Sequence, residues 1–150
     1  MNIYFVRTDT SGTNWLTNVV TKVNGDSTTL SHFHPSIAVD QTSPNGNIAV
    51  AWHDCRNDPT NVKTQVYAAV ARDGGASTTS FSANNFRLSP GTSDATRLTI
   101  WPAFDYGDYT GLAYYTGLMR FSWADNSNDP CCNVYTNGAG MNVYTSVVAY

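Results

Sequence analysis

Along most of this chain, apolar and polar positions alternate with a period of two rather than 3.6, the pattern of half-buried strands. Read from these alternating, β-branched and aromatic runs, strands are expected at 2–7, 15–23, 35–40, 47–52, 65–72, 85–89, 109–115, 118–123 and 141–149. The segments between them are rich in Gly, Asn, Asp, Ser and Thr. Ser43-Pro44-Asn45-Gly46, set between two alternating runs, predicts a β-hairpin. No segment shows the apolar stripe of an amphipathic helix.

The runs repeat. Ala51-Trp52-His53-Asp54-Cys55-Arg56-Asn57-Asp58 returns as Ser122-Trp123-Ala124-Asp125-Asn126-Ser127-Asn128-Asp129, a shared W-x-D-x-x-N-D 71 residues on. A β-branched residue followed by Tyr occurs at Ile3-Tyr4, Val66-Tyr67 and Val143-Tyr144; the first two pairs lie 63 residues apart, as do Gly12 and Gly75. The third pair lies 77 residues beyond the second, which places a length difference between Asp129 and Met141. One supersecondary unit per repeat is implied. A complete four-stranded antiparallel unit then spans 34–89, with strands three and four of a preceding unit in 1–24 and a unit lacking its fourth strand in 102–150. Radially repeated four-stranded sheets mark a β-propeller, and about two blades plus partial strands do not close a ring in one chain. Open blade edges call for a partner, either a missing propeller portion or another copy of the chain.

Composition sharpens this all-β reading. Charged residues make up 13%, Glu is absent, and Lys occurs only at Lys22 and Lys63, which disfavours long helices with charged outer faces. A net charge of −3 with no basic run argues against nucleic acid as a partner. No apolar run reaches the length of a membrane span. The start of the chain reads as a strand rather than a signal peptide, and the end as a strand to its last residues. Cys55, Cys131 and Cys132 are an odd number, allowing at most one bridge among them.

The stretches His34-Pro35-Ser36-Ile37-Ala38-Val39-Asp40, Ala51 to Pro59, Val66 to Gly75 with Asn85-Phe86-Arg87-Leu88-Ser89, and Gly107-Asp108-Tyr109-Thr110-Gly111-Leu112-Ala113 resemble secreted sialidase-like proteins with bacterial neuraminidase (Asp-box) repeats. The resemblance implies an extracellular six-bladed propeller, of which this chain would be the C-terminal portion. It also implies that Ala71-Arg72-Asp73-Gly74-Gly75-Ala76-Ser77 is a degenerate Asp-box turn, with Asp73 and Gly75 in structural roles. A sialidase needs a Tyr nucleophile activated by Glu, an Asp acid/base and an Arg clamp. With no Glu, and with Arg7 and Arg72 at the Asp-box turns, catalysis by the isolated chain is not expected.

In an antiparallel blade the W-x-D-x-x-N-D loops and the entries to each first strand share the face opposite the Asp-box. His34, Asp54, Arg56, Tyr106, Asp108, Arg120 and Asp125 are therefore the candidate ligand-binding residues. Asp54 and Asp125 are equally suited to capping loop N–H groups, and Trp52 and Trp123 to packing between blades. No cofactor is expected outright. Asp105 and Asp108 are candidates for calcium, and His32-x-His34 with His53 for zinc. Three functions fit: a non-catalytic propeller portion that binds glycans or assembles through its open edges, a glycoside hydrolase completed by a missing half or another subunit, and a structural filament subunit.

Overall fold

The computed structural model describes residues 1–8, 11–15, 20–97, 106–127 and 141–150. Asp105, Cys131, Cys132, Asn128, Asp129 and residues 16–19 of an expected strand lie outside the described residues. Every sheet is antiparallel. The first pairs β1 (Tyr4–Phe5) with β2 (Thr21–Lys22). The second runs β3 (His32–Asp40), β4 (Asn47–Asp54), β5 (Lys63–Ala71) and β6 (Asn85–Arg87), with β7 (Ser93–Asp94) on β5 beyond β6. The third orders β8 (Gly111–Tyr115), β9 (Leu118–Asp125) and β10 (Asn142–Ala149) with β9 in the middle. No sheet closes on itself among the described residues.

The fourth strand of the second sheet ends sooner than the expected 85–89, because its continuation meets Ser89-Pro90-Gly91, where proline has no N–H for the ladder. Side chains bridge the gap. Arg87 donates to the carbonyls of Ser89, Pro90 and Gly91 at 2.6, 2.7 and 2.9 Å, and the Ser89 hydroxyl accepts the Val66 N–H at 3.0 Å. Pairing to β5 then resumes at Ser93.

Alternation along β4 sorts its side chains onto two cores. Ile48, Val50 and Trp52 face the first sheet and pack with Ile3, Phe5, Val23 and Phe81. Ala49 and Ala51 face the third sheet, together with Val66, Ala68 and Val70 of β5, against Tyr114, Met119, Phe121 and Trp123. β4 is thus buried on both faces. The repeat holds in three dimensions, since Trp52 and Trp123 each face the preceding sheet, fully buried and at 2% exposure. Tyr67 and Tyr144 likewise pack toward the preceding sheet, while Tyr4, the same repeat position, is 60% exposed.

Polar clasps tie the second and third sheets at both ends. At the lower end the Asp40 carboxylate accepts the Gly117 N–H at 2.7 Å and the Thr42 N–H at 3.0 Å. The Thr42 hydroxyl and these N–H groups stabilise the ionised carboxylate and bring its pKa down to about 2. At the upper end the Ser36 hydroxyl donates to the Thr110 carbonyl at 3.0 Å, and the Thr110 hydroxyl to the His34 carbonyl at 3.3 Å. No helix among the described residues is long and apolar enough to cross a membrane.

Candidate functional site

The upper end is built from the exits of β4 and β9 and the entries to β3 and β8. Trp52 and Asp54 lie two apart on a strand and so face the same way. A buried indole N–H requires an acceptor, and Trp52 Nε1 donates to Asp54 Oδ2 at 2.7 Å. Asp54 Oδ1 accepts the Arg56 N–H at 2.8 Å, closing an Asx turn that starts the loop. The second copy repeats this bond for bond: Trp123 Nε1 to Asp125 Oδ2 at 2.8 Å and Ser127 N–H to Asp125 Oδ1 at 2.6 Å. The motif is a device for ending a strand. Both carboxylates are buried at 1% exposure, and each is occupied by the turn it makes.

The last motif residue has a separate task. Asp58 accepts the N–H groups of Lys63, Val62 and Thr60 at 2.7, 2.9 and 3.2 Å, which together hold its carboxyl well below the usual range.

Around the first copy lies a charge network with no counterpart at the second among the described residues. Arg56 forks onto Asp54 Oδ2 through Nε at 2.9 Å and Nη2 at 2.6 Å, and its guanidinium lies 4.1 Å over the Tyr67 ring. His32 Nε2 stands 3.0 Å from Asp26 Oδ1 and 3.4 Å from Asp54 Oδ2, while His32 Nδ1 meets the Met1 carbonyl at 2.6 Å. Burial alone would raise the Asp26 carboxyl, but Thr28, Asn24, His32 and Arg56 outweigh it and hold it below the usual range. Donor atoms of Asp26, His32 and Asp54 lie within 4.8 Å of one another, spacing that a metal could use. Trp52 Nε1 and Arg56 Nε and Nη2 already crowd Asp54 Oδ2, so the cluster is a hydrogen-bonded network around the Arg56–Asp54 ion pair that clasps the first sheet to the second.

The expected convergence of His32, His34 and His53 does not occur. A bulge between Phe33 and Ser36, with His34 at a left-handed φ of 49°, breaks the alternation that would place His32 and His34 on one side. His34 instead turns toward His53, with ring centroids 6.0 Å apart, in an aromatic group completed by Phe33 and Tyr106. Burial, and then the neighbouring His34, pushes His53 down to about 4, so it is neutral at pH 7. Tyr106, a candidate ligand-binding residue, is buried in this group at 4% exposure, and its hydroxyl accepts the Ala95 N–H at 3.2 Å.

The other candidates scatter. Asp108 is exposed at the entry to β8. Arg120 is exposed in mid-β9, five residues or roughly 17 Å from Asp125, on the open face of the third sheet. Asp73 and Gly75 sit at the opposite end of the molecule. Burial would raise Asp73, yet bonds from the Ser80 hydroxyl and the Ser77 and Gly75 N–H groups hold it low. Gly75 has φ 71°, and a Cβ there would lie 2.5 Å from Phe5 Cε1. Cys55 is buried and free, its thiol pushed up to about 11 by burial and then by Asp54 and Asp58, which leaves it a poor nucleophile.

One residue that sequence reasoning passed over stands out. Tyr109, beside Asp108, is 90% exposed. With Tyr106, Ser122, Trp123 and Ala124 it lines an open groove of about 430 Å³ at the upper end of the third sheet. A tyrosine in an alternating strand-entry run carries no mark in the sequence to distinguish it from a core residue. Protein-family models, curated proteins and solved structures provide no match to this chain.

Proposed function

We propose that this chain is part of a secreted, sialidase-like β-propeller that binds glycans at the upper ends of its innermost strands and does not hydrolyse them. The observation that carries the reading is the exposed Tyr109 ring, which lines a groove of about 430 Å³ and is preceded in the chain by the exposed Asp108. A sugar ring stacks its C–H face on an aromatic ring and offers hydroxyls to a neighbouring carboxylate, and a groove of this size accommodates one or two such rings. The blade reading is supported by sheets that follow one another face to face, each Trp of the motif turned toward the sheet before it. The non-catalytic reading is supported by the engagement of Asp54 and Asp125. An acid/base pair needs carboxyl groups free to exchange protons with substrate, and both are buried under indole and backbone N–H donors.

A glycan array probed with the full chain tests the reading, followed by titration of any positive sugar against Tyr109→Ala and Asp108→Asn. Both positions are exposed, so both variants keep the fold, and each is expected to weaken binding at least about tenfold. Absence of any binding sugar, or binding unchanged in both variants, refutes the site. Release of fluorophore from a fluorogenic sialoside by the isolated chain refutes the non-catalytic part.

A further inference from the structure

Buried polar atoms in a folded chain almost always have a hydrogen-bond partner, and those without one mark strain or a place where an ion or water is held. Among the described residues five buried side-chain atoms lack such a partner. Two of them, His34 Nδ1 and His53 Nε2, belong to neighbouring rings whose centroids are 6.0 Å apart. The fold works to bring these rings together. His34 reaches His53 only through the bulge between Phe33 and Ser36, at a left-handed φ of 49° that is strained for a residue with a Cβ. Bulges re-aim side chains in this way beside functional sites. His53 is fully buried and fixed on three sides: Phe33 stacks on its ring with planes 12° apart, the Tyr106 ring lies 4.7 Å away, and Thr64 Oγ1 stands 3.5 Å from its Nδ1. With Nδ1 turned to a hydroxyl, Nε2 is left to offer its lone pair, the arrangement of a metal-bound imidazole.

Charge points the same way. The Asp125 carboxylate is buried and close enough to act electrostatically on His53, and no cation pairs with it among the described residues, whereas its counterpart Asp54 has Arg56. We propose that His34 Nδ1 and His53 Nε2 bind a divalent transition-metal ion of the imidazole-preferring class, such as zinc, with Asp125 balancing its charge. Both Asp125 oxygens already accept N–H groups, from Trp123 and Ser127, so it acts as a neighbour and water completes the coordination shell. Nitrogen donors favour this class over calcium and magnesium, which take oxygen. Bound there, the ion ties the β3 bulge to the end of β4 behind Tyr106, independently of any glycan.

Zinc titrated into the full, metal-stripped chain tests the proposal, followed through the imidazole resonances of the three histidines. The rings of His34 and His53 are expected to shift together and saturably while His32 stays, and calcium is expected to move none of them. His34→Gln, at a half-buried position, is expected to weaken the zinc response of His53 at least about tenfold. His32→Gln is expected to leave the response of both rings unchanged. No shift of either ring up to about 1 mM zinc, or an equal His53 response with and without His34, overturns the proposal. A shift confined to His32 overturns it as well, by placing the ion at Asp26 and Asp54. Zinc uptake that leaves all three rings unmoved does the same, since the thiols then hold it.

Discussion

Replacing Asp54 and Asp125 separately by alanine asks whether the two copies of the Trp–Asp device do the same work. Asp54→Ala removes the acceptor for Trp52 Nε1 and for the Arg56 backbone N–H, and takes from the Arg56 guanidinium, whose side chain is only 13% exposed, its shortest ion pair, leaving it Asn85 at 3.1 Å and Asp26 at 3.7 Å. Breaking a buried ion pair from one side costs about 3–5 kcal/mol, and the partial exposure of Arg56 places this case near about 3. Among the described residues Asp125→Ala strands only Trp123 Nε1 and the Ser127 N–H, with no cation left behind. An unsatisfied buried donor costs about 1–3 kcal/mol, and the half-buried Ser127 end relaxes toward water, giving about 1.5. The expected gap is therefore about 1.5 kcal/mol. With a urea slope near 1.5 kcal/mol per molar, the midpoints differ by about 1 M, Asp54→Ala unfolding first. Equal midpoints, or Asp125→Ala the weaker, would show that the Arg56 and His32 network adds nothing to the shared turn and refute the distinction. Asp54→Asn, which keeps the acceptor and loses the charge, should fall between wild type and Asp54→Ala.

Two further outcomes follow from burial and backbone conformation. His53 is held at about 4 in the folded chain, below its unfolded value of about 6.5, so the unfolded state takes up a proton first. Stability is then full above about pH 6.5 and falls as pH drops toward 4, by about 3 kcal/mol in all. Urea unfolding at pH 7 and 4.5 should show this fall in wild type and a much smaller one in His53→Gln; equal falls in both would remove His53 as its source. Gly75→Ala combines a φ of 71° with a Cβ 2.5 Å from Phe5, and should lower stability by about 3 kcal/mol in thermal or urea unfolding. Gly12→Ala, at φ 85° with open space around it, should cost only about 1 kcal/mol, and comparable losses would discount the Phe5 contact.

Much of the fold was legible in the chain because period-two alternation is a local property. The runs at 47–52, 65–72, 118–123 and 141–149 appear as strands within a residue or two of their expected bounds, since each has at least one apolar face to bury. The repeat of W-x-D was legible too, because two residues on one strand edge and a turn just beyond them form a self-contained hydrogen-bonding unit. Pro90 and the His34 bulge were harder. Both are strand interruptions whose cost depends on which edge is covered and what side chain fills the gap, here Arg87 and Ser89 for the first.

By itself, then, the sequence determined an antiparallel all-β chain, its repeat unit and the residues that end its strands, because alternation, turn chemistry and i to i+2 contacts are written within a few residues. Only the tertiary structure decided which charges meet and which rings stay in water. Asp26 and Arg56 converge on His32 and Asp54 from separate segments. A single left-handed residue turns His34 away from His32 toward His53. Tyr106 is buried and Tyr109 exposed, though three positions apart in one tyrosine-rich run. Such outcomes depend on the order in which the sheets stack and the face each turns to its neighbour, and no local pattern carries that information.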